Sequence, residues 1–415
     1  MFSRRSGFAA RATLLALLLG QFPAWVQARE IGIEDALQAA ASGNPELAAS
    51  AREIGIAQGL REQAGLLRNP TFSWEQEGTE SRNRTTTLGI SQPLELGGKR
   101  GARVALAERG QEVAALGLEA RRNQLRGEVI AVFYSALRAQ ERERLAQQSV
   151  ALAQRGVVAA QGRVRAGKAA PLEANRAQVQ LAEVRLEQDR ARRERADANQ
   201  ALAALMGLAS ADFTGVRSDS GKPLPGLPSP DELLRRLGDS APMRLAQSRI
   251  DEGEAAVRLA KTQRIPDLDV SLGSQEAIED GNRERIAVIG LSLPLPLFDR
   301  NQGNILAESR RADQARDLRN ATELRLRQET QQALQQWSTA QGEVNAFRQT
   351  ILPSAQSAVE SATRGFEMGK FGFLEVLDAQ RTLITARDQY LRALAQVSDA
   401  WGRIERVYGD VGAAR

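Results

Sequence analysis

The stretch Gly365–Leu383, GFEMGKFGFLEVLDAQRTL, recurs in degenerate form 202 residues earlier as RVRAGKAAPLEANRAQVQL, Arg163–Leu181. In register, Gly167-Lys168 falls on Gly369-Lys370, Leu172-Glu173 on Leu374-Glu375, and Ala177-Gln178 on Ala379-Gln380. The register holds to the end of each half, where Gly207 meets Gly409. A Gly-Lys step between two long amphipathic runs reads as the bend of a helical hairpin, and its repetition governs the reading of everything else. One structural unit is expected twice: residues 29–207, a linker at 208–230, residues 231–409, and a tail at 410–415.

The first 28 residues stand apart. Arg4, Arg5 and Arg11 precede an apolar run, Leu14 to Leu19, and Val26-Gln27-Ala28 ends it as a small-residue cleavage site. This predicts a secretion signal at 1–28. No later run approaches the ~18 to 20 apolar residues of a membrane-spanning helix. The formal charge of +5 includes the three leader arginines, leaving +2 for the remainder. Acidic and basic residues are interspersed along helical segments, the pattern of solvated faces rather than of a nucleic-acid patch. Cysteine and histidine are both absent. That removes disulfides, a lipidated cysteine, the commonest general base and the commonest metal ligand. No cofactor, metal site or catalytic constellation is expected.

Each half follows one plan. A helix running to about Arg68 closes at Asn69-Pro70. The period then changes to two, with Phe72 and Trp74 on one face and Ser73, Glu75 and Glu77 on the other. Strands are expected at about 71–78 and 85–93, with a polar turn at 78–84. A helical hairpin follows over about 99–206; its first arm would span on the order of 100 Å, with Leu118, Leu125 and Val132 seven apart. In the second half, strands are expected at about 267–274 and 285–293, with a polar turn at 275–284. Leu268, Val270 and Leu272 alternate with Asp267, Asp269 and Ser271. The second hairpin covers about 304–408. Trp337, Val344, Ile351 and Ala358 are seven apart, and Pro353 should kink the helix. The fold class is mainly α with a small membrane β part.

Four strands of eight to ten residues suit a tilted crossing of a bilayer, which takes ~9 to 11 residues per strand. They cannot close a barrel alone, because the smallest such barrels have ~8 strands and an open edge in lipid leaves backbone groups unpaired. Oligomerisation with cyclic symmetry would close it. A dimer gives eight strands with a filled interior; a trimer gives twelve and leaves a lumen. Two soluble hairpins packed on helices remain the bland alternative.

The duplicated plan, together with QPLELGGKR at 92–100, LPLPLFDRNQG at 293–303 and GFLEVLDAQ at 372–380, resembles the outer-membrane efflux protein family typified by TolC. The first two segments are most similar to its heavy-metal, CzcC-type branch. The resemblance covers essentially the whole chain after the leader. It implies a homotrimeric duct, with a twelve-stranded barrel in outer-membrane lipid and a helical barrel across the periplasm. The implied partners are a periplasmic adaptor protein and an inner-membrane pump of the resistance-nodulation-division type. The implied cargo is divalent heavy-metal cations, with multidrug efflux as the alternative. A periplasmic adaptor or scaffold would need lipoyl-like and small β-barrel segments around one hairpin, and this chain has two hairpins and neither segment.

The resemblance also assigns residues. Glu375 and Asp378 correspond to acids that ring the closed periplasmic aperture, whereas on periodicity alone they form a solvated face with Asp378 paired to Arg381. The matching positions of the first half hold Glu173 and Arg176, expected to neutralise each other. The family's polar lock falls on Phe366 and Phe371 here, so an apolar lock is expected. Gly167, Lys168, Gly369 and Lys370 would touch the adaptor; on local grounds the glycines simply end helices. Gly97-Gly98-Lys99-Arg100 lacks phosphate-loop spacing and reads as a strand-to-helix turn.

Overall fold

A computed structural model describes residues 30–80, 82–217, 226–280 and 282–411. The expected leader, the centre of the linker at 218–225 and the end of the tail at 412–415 lie outside the described residues. The first half runs β1 (Glu30–Ile31), α1 (Ile33–Gly43), α2 (Pro45–Ala64), β2 (Thr71–Glu80), β3 (Asn83–Leu94), α3 (Lys99–Arg165) and α4 (Pro171–Leu205). After β4 (Gly215–Val216), the second half runs α5 (Pro230–Arg236), a 3-10 turn at Leu237–Asp239, α6 (Ala241–Thr262), β5 (Leu268–Glu279) and β6 (Asn282–Ser292). It ends with α7 (Gln302–Ala346), a π-helical segment (Phe347–Ile351), α8 (Leu352–Glu367) and α9 (Phe373–Tyr408).

Both hairpin bends have one geometry. Gly167 and Gly369 adopt φ of 69° and 73°, the left-handed conformation that costs glycine little. Lys168 N–H donates to the Arg163 carbonyl at 2.9 Å and Gly167 N–H to that of Val164 at 3.0 Å. Lys370 N–H reaches Gly365 at 2.8 Å and Gly369 N–H reaches Phe366 at 2.9 Å. These paired bonds satisfy the last carbonyls of each arm and end it. The return helices restart at Pro171, in the first turn where a missing N–H costs nothing, and at Phe373.

The long helices pack side by side, with α3 against α2, α4, α6 and α9, and α7 against α6 and α9. Leu118, Leu125, Val129, Phe133 and Ala136 of α3 meet Ala36 and Ala40 of α1 and Leu202 and Ala203 of α4 in the main core. Burying one such leucine stabilises by about 2 kcal/mol. Where α3 crosses α9, a Cβ at Gly127 would stand 2.5 Å from the Gly402 carbonyl oxygen, so the two backbones touch. Beside the crossing, Arg126 pairs with the fully buried Glu405. Burial pushes the Glu405 carboxyl up, against the pull of Arg126.

The second outbound arm is broken at Pro353, where a kink is expected, but by a π-helical segment rather than a simple kink. Pro353 offers no N–H and its ring crowds the preceding turn, and the chain absorbs this in the π-helical segment just before it. The wider turn shifts the inward phase. Val344 is buried but Ile351 and Ala358 are exposed, and Ala355, Val359, Ala362 and Phe366 take over the inner face. The seven-residue spacing therefore does not survive the bulge.

The four strands form one antiparallel sheet in the order β2-β3-β5-β6, the two halves joining at β3–β5. Its outer edges, on β2 and β6, are unpaired among the described residues. Both hairpins run further than expected: β5 continues to Glu279 and β6 begins at Asn282, through residues read as a polar turn. Cross-strand ion pairs from Glu276 to Arg285 at 2.8 Å and to Arg283 at 3.3 Å hold this polar extension. A short parallel pair, β1 with β4, lies at the start of the linker and is clamped by Gln140, which bonds both backbone groups of Val216 at 3.0 Å. No described helix is long and apolar enough to cross a membrane.

Candidate functional site

Two regions carry chemistry: the hairpin tips and the sheet. At the tips, Val157, Ala160, Ala177, Ala362, Phe366, Phe373, Val376 and Leu377 form one small core shared by both hairpins. Phe366 is 4% exposed and meets Phe373 at a ring-centroid distance of 5.5 Å. Phe371 is 48% exposed, and its ring folds over Gly365, where no side chain would fit. Of the two phenylalanines expected to lock an aperture, Phe366 is spent on the tip's own core and Phe371 alone keeps an open surface.

Glu375 is the third residue of α9 and Glu173 the third of α4, positions where an acid complements the positive end of a helix. That local rule explains why both halves carry it. Their surroundings differ. Glu173 does not pair with Arg176 as expected; it faces Arg163 across the bend at 3.8 Å. The Arg163 guanidinium also lies 4.7 Å from the centroid of the Phe366 ring and donates to the Phe366 carbonyl at 3.5 Å. It therefore neutralises Glu173 and ties the first hairpin to the second. Glu375 and Asp378 are exposed, and neither has an ion-pair partner among the described residues. The expected Asp378–Arg381 pair is not formed. Gly167, Lys168, Gly369 and Lys370 are all exposed at the bends.

Antiparallel register puts directly opposed residues on one face of the sheet. One face carries the rows Phe72–Ile90–Leu272–Ile289 and Trp74–Leu88–Ser274–Ala287, with Val270 opposite Leu291. Exposed Leu293, Leu295, Leu297 and Phe298, the last 91% exposed, continue this apolar surface below β6. The other face carries Ser73–Gly89–Gly273–Val288 and Thr71–Ser91–Ser271–Gly290. Its charged residues among the paired positions are Glu75, Glu77, Glu80, Asp269, Glu279 and Glu284, and no Lys or Arg lies on it there. One surface is built for hydrocarbon and the other for water and cations.

Sheet and helices join through a partly buried ionic cluster. Arg103 pairs with Glu95, Lys99 Nζ with Asp267 at 2.5 Å, and Arg68 spans both acids at 3.4 and 3.7 Å. The hydrogen bond from Arg103 holds the Glu95 carboxyl below the usual glutamate range. Gly97 and Gly98, with φ of 69° and 74°, turn the chain from strand to helix there, and Ile265 packs against Gly97 too closely for a side chain. Sequence reasoning placed the turn but missed the cluster and Arg163, whose partners lie far away in the chain. No grouping of three or more His, Cys, Asp or Glu able to hold a metal occurs among the described residues.

A sheet with one apolar and one acidic face, carried on paired helical hairpins whose arms span 67 and 35 residues in the first half, defines a channel subunit. Comparison with known proteins gives the family. The outer membrane efflux protein family matches residues 36–208 and 235–410, and the chain belongs to it. Among curated relatives, the cobalt-zinc-cadmium resistance protein CzcC of Cupriavidus metallidurans is 41% identical over 377 residues, covering 91% of this chain and 90% of CzcC. The nickel-cobalt-cadmium resistance protein NccC of Alcaligenes xylosoxydans xylosoxydans is 30% identical, covering 68% of this chain and 64% of its own. The solved outer-membrane channel OprN has the same fold, with a TM-score of 0.76 at 20% identity, covering 91% of this chain and 89% of OprN. The protein is an outer-membrane efflux channel of the heavy-metal type, in a family of transport channels.

Proposed function

We propose that three copies join edge to edge into a twelve-stranded barrel and a continuous helical duct. Through it pass divalent heavy-metal cations delivered by an inner-membrane pump, of the resistance-nodulation-division type, and a periplasmic adaptor. The sheet carries this reading: among the described residues it has two open edges, an apolar face suited to lipid, and an opposite face whose charges at the paired positions are all carboxylates. Open edges in hydrocarbon cost several kcal/mol per unsatisfied group, so a lone protomer has no stable place in a bilayer. Three chains leave a lumen where two would fill it.

At the periplasmic end, Glu375 and Asp378 of three chains bring six carboxylates to one aperture, with Phe371 as the apolar element beside them. Carboxylates left unpaired within the protomer attract cations and repel one another. Lys168 and Lys370, exposed with their glycines at the bends, are the surface offered to the adaptor. The chain moves its cargo without binding it tightly: with no His or Cys, it holds borderline metals weakly. The test is chemical cross-linking of the detergent-solubilised protein, expected to saturate at three chains. A monodisperse monomer that conducts in planar bilayers contradicts the proposal. Deleting the gene should sensitise cells to zinc, cobalt or cadmium; unchanged metal tolerance with new drug sensitivity would reassign the cargo.

A further inference from the structure

The apolar face of the sheet is not uncharged along its full length. Beyond the row Trp74–Leu88–Ser274–Ala287 comes Gln76–Thr86–Glu276–Arg285, and beyond that Arg84–Ile278–Arg283. Three arginines and one glutamate therefore cap the lipid-side face near the β2–β3 and β5–β6 turns. The opposite face at the same level carries Glu75, Glu77, Glu279 and Glu284. The signs are sorted by face, not scattered, although turn solubility would be served by either arrangement.

The local geometry holds the guanidinium groups in a patch. Glu276 sits between Arg283 and Arg285, at 3.3 and 2.8 Å, and its side chain is largely covered while theirs are more than half exposed. Arg84 and Arg283 flank Ile278 on neighbouring strands, so their backbones stand about 10 Å apart at a strand spacing of ~4.8 Å. One acid against three bases leaves two positive charges per chain. Guanidinium forks match phosphate oxygens two at a time, which an ammonium cannot do.

Resting on the reading that the apolar face meets lipid, we propose that Arg84, Arg283 and Arg285 bind the phosphate groups of lipid headgroups in the outer leaflet. The turns linking β2 to β3 and β5 to β6 lie at the end of the sheet away from the helices, which places the patch at that leaflet. The occupant is a phosphorylated lipid rather than free phosphate, because the patch is continuous with an acyl-chain surface and is open on that side. The collar would fix the height of the barrel in the bilayer, and the acidic opposite face would stay free for departing cations.

The test uses the full chain reconstituted in phosphatidylcholine discs containing bis-phosphorylated lipid A, with lipid retained after detergent exchange counted by native mass spectrometry. The wild type should retain bis-phosphorylated lipid A about tenfold better than its dephosphorylated form, since charge-assisted bonds to phosphate are the strong ones. The triple variant Arg84→Gln/Arg283→Gln/Arg285→Gln should lose this preference, and the Arg→Lys triple variant should keep only part of it. Inorganic phosphate should not displace the lipid; displacement at millimolar concentration would overturn the lipid assignment. Equal retention of both lipid forms by the wild type would overturn the proposal without any variant having to fold. Quenching of Trp74 by brominated acyl chains separates the two levels: Trp74 shares the face but not the arginine patch. Quenching with no phosphate preference sinks the arginine collar alone, and no quenching sinks the lipid-facing reading beneath it.

Discussion

The two hairpins share a length, a bend geometry and a glutamate at the third position of the return helix, yet they are held together differently. In the first, α3 is unbroken, and Arg142 with Glu187 and Glu194, Arg195 with Glu143, and Arg163 with Glu173 lace it to α4. In the second, the outbound arm is interrupted at Phe347–Ile351; Arg406 of α9 pairs with Glu329 of α7 at 3.3 Å before the break, but beyond it no ion pair among the described residues joins α8 to α9. Apolar contacts among Ala355, Val359, Leu383 and Ala386, with one hydrogen bond donated by Arg387 to Gln356 at 3.1 Å, hold them instead. Non-directional contacts tolerate sliding better than ion pairs of fixed geometry. The first hairpin thus has its arms laced together and its tip acid neutralised, and the second has two acids unpaired at its tip among the described residues.

The comparison predicts graded effects. The largest comes where the hairpins cannot be separated. Gly127→Leu would drive a side chain into the Gly402 carbonyl and Arg406, costing several kcal/mol, and should abolish the assembled, heat-sensitive oligomer band on gels. Gly117→Ala, with open space around it, should leave that band intact. If both variants assemble alike, α3 and α9 are not locked at this crossing.

Arg163→Ala comes next, at about 1–2 kcal/mol, because it removes the cation from the Phe366 ring and leaves Glu173 half-buried without its partner. Adding Glu173→Gln should recover part of the loss, as read by a double-mutant cycle in urea. The same substitution at Glu375 should cost only the few tenths of a kcal/mol that an exposed charge at a helix N-terminus supplies. A loss there equal to that at Glu173 would erase the distinction between the tips.

The joints above the hairpins differ in a way pH can read. Arg103 depresses the Glu95 carboxyl, so its stabilising contribution is present at neutral pH and lost as pH falls through its lowered folded-state pKa. Protection of the amides at the start of α3, taken as their exchange rate relative to the intrinsic rate at each pH, should therefore fall in acid, while protection at the start of α7 changes little. Glu405 works with the opposite sign. Burial raises its pKa, so the charged form costs stability above the ordinary glutamate value, and acid relieves that cost. The smallest effect is expected from Pro353→Ala, under about 1 kcal/mol, because the π-helical segment already absorbs the missing bond. Slower amide exchange across 347–352 would report a regularised helix.

Much of this architecture is legible in the chain, and the failures share a cause. The strands show because Phe72 and Trp74, or Val270 and Leu272, alternate with polar residues within one short window. The bends show because glycine is needed where φ is positive. Glu276 and Arg283 read as turn residues, and Arg285 only as the start of the returning strand, because their ion pairs exist only once β5 and β6 are in register. Pro353 marks a break, but whether the helix kinks or widens depends on how the next turn packs, and Ile351 lost its inward phase for that reason. Arg163 was invisible as a tie because Phe366 lies 203 residues away. Phe366 is expected at a gate from the resemblance alone, and its burial against Phe373 is not legible in the chain because a buried and an exposed phenylalanine look the same in one dimension.

Under the proposed function, unpaired acids on the second tip, and not their neutralised counterpart on the first, set what the closed duct admits. The zero-current potential of single channels in a salt gradient tests it directly, in the wild type, Glu375→Ala/Asp378→Ala and Glu173→Ala. The wild type should be cation-selective and Glu173→Ala unchanged. The double variant should lose most of that selectivity and conduct more, with the remainder supplied by Glu75, Glu77, Asp269 and Glu284 of the sheet. A double variant that selects and conducts like the wild type would make Glu375 and Asp378 an ordinary solvated helix face and contradict the account.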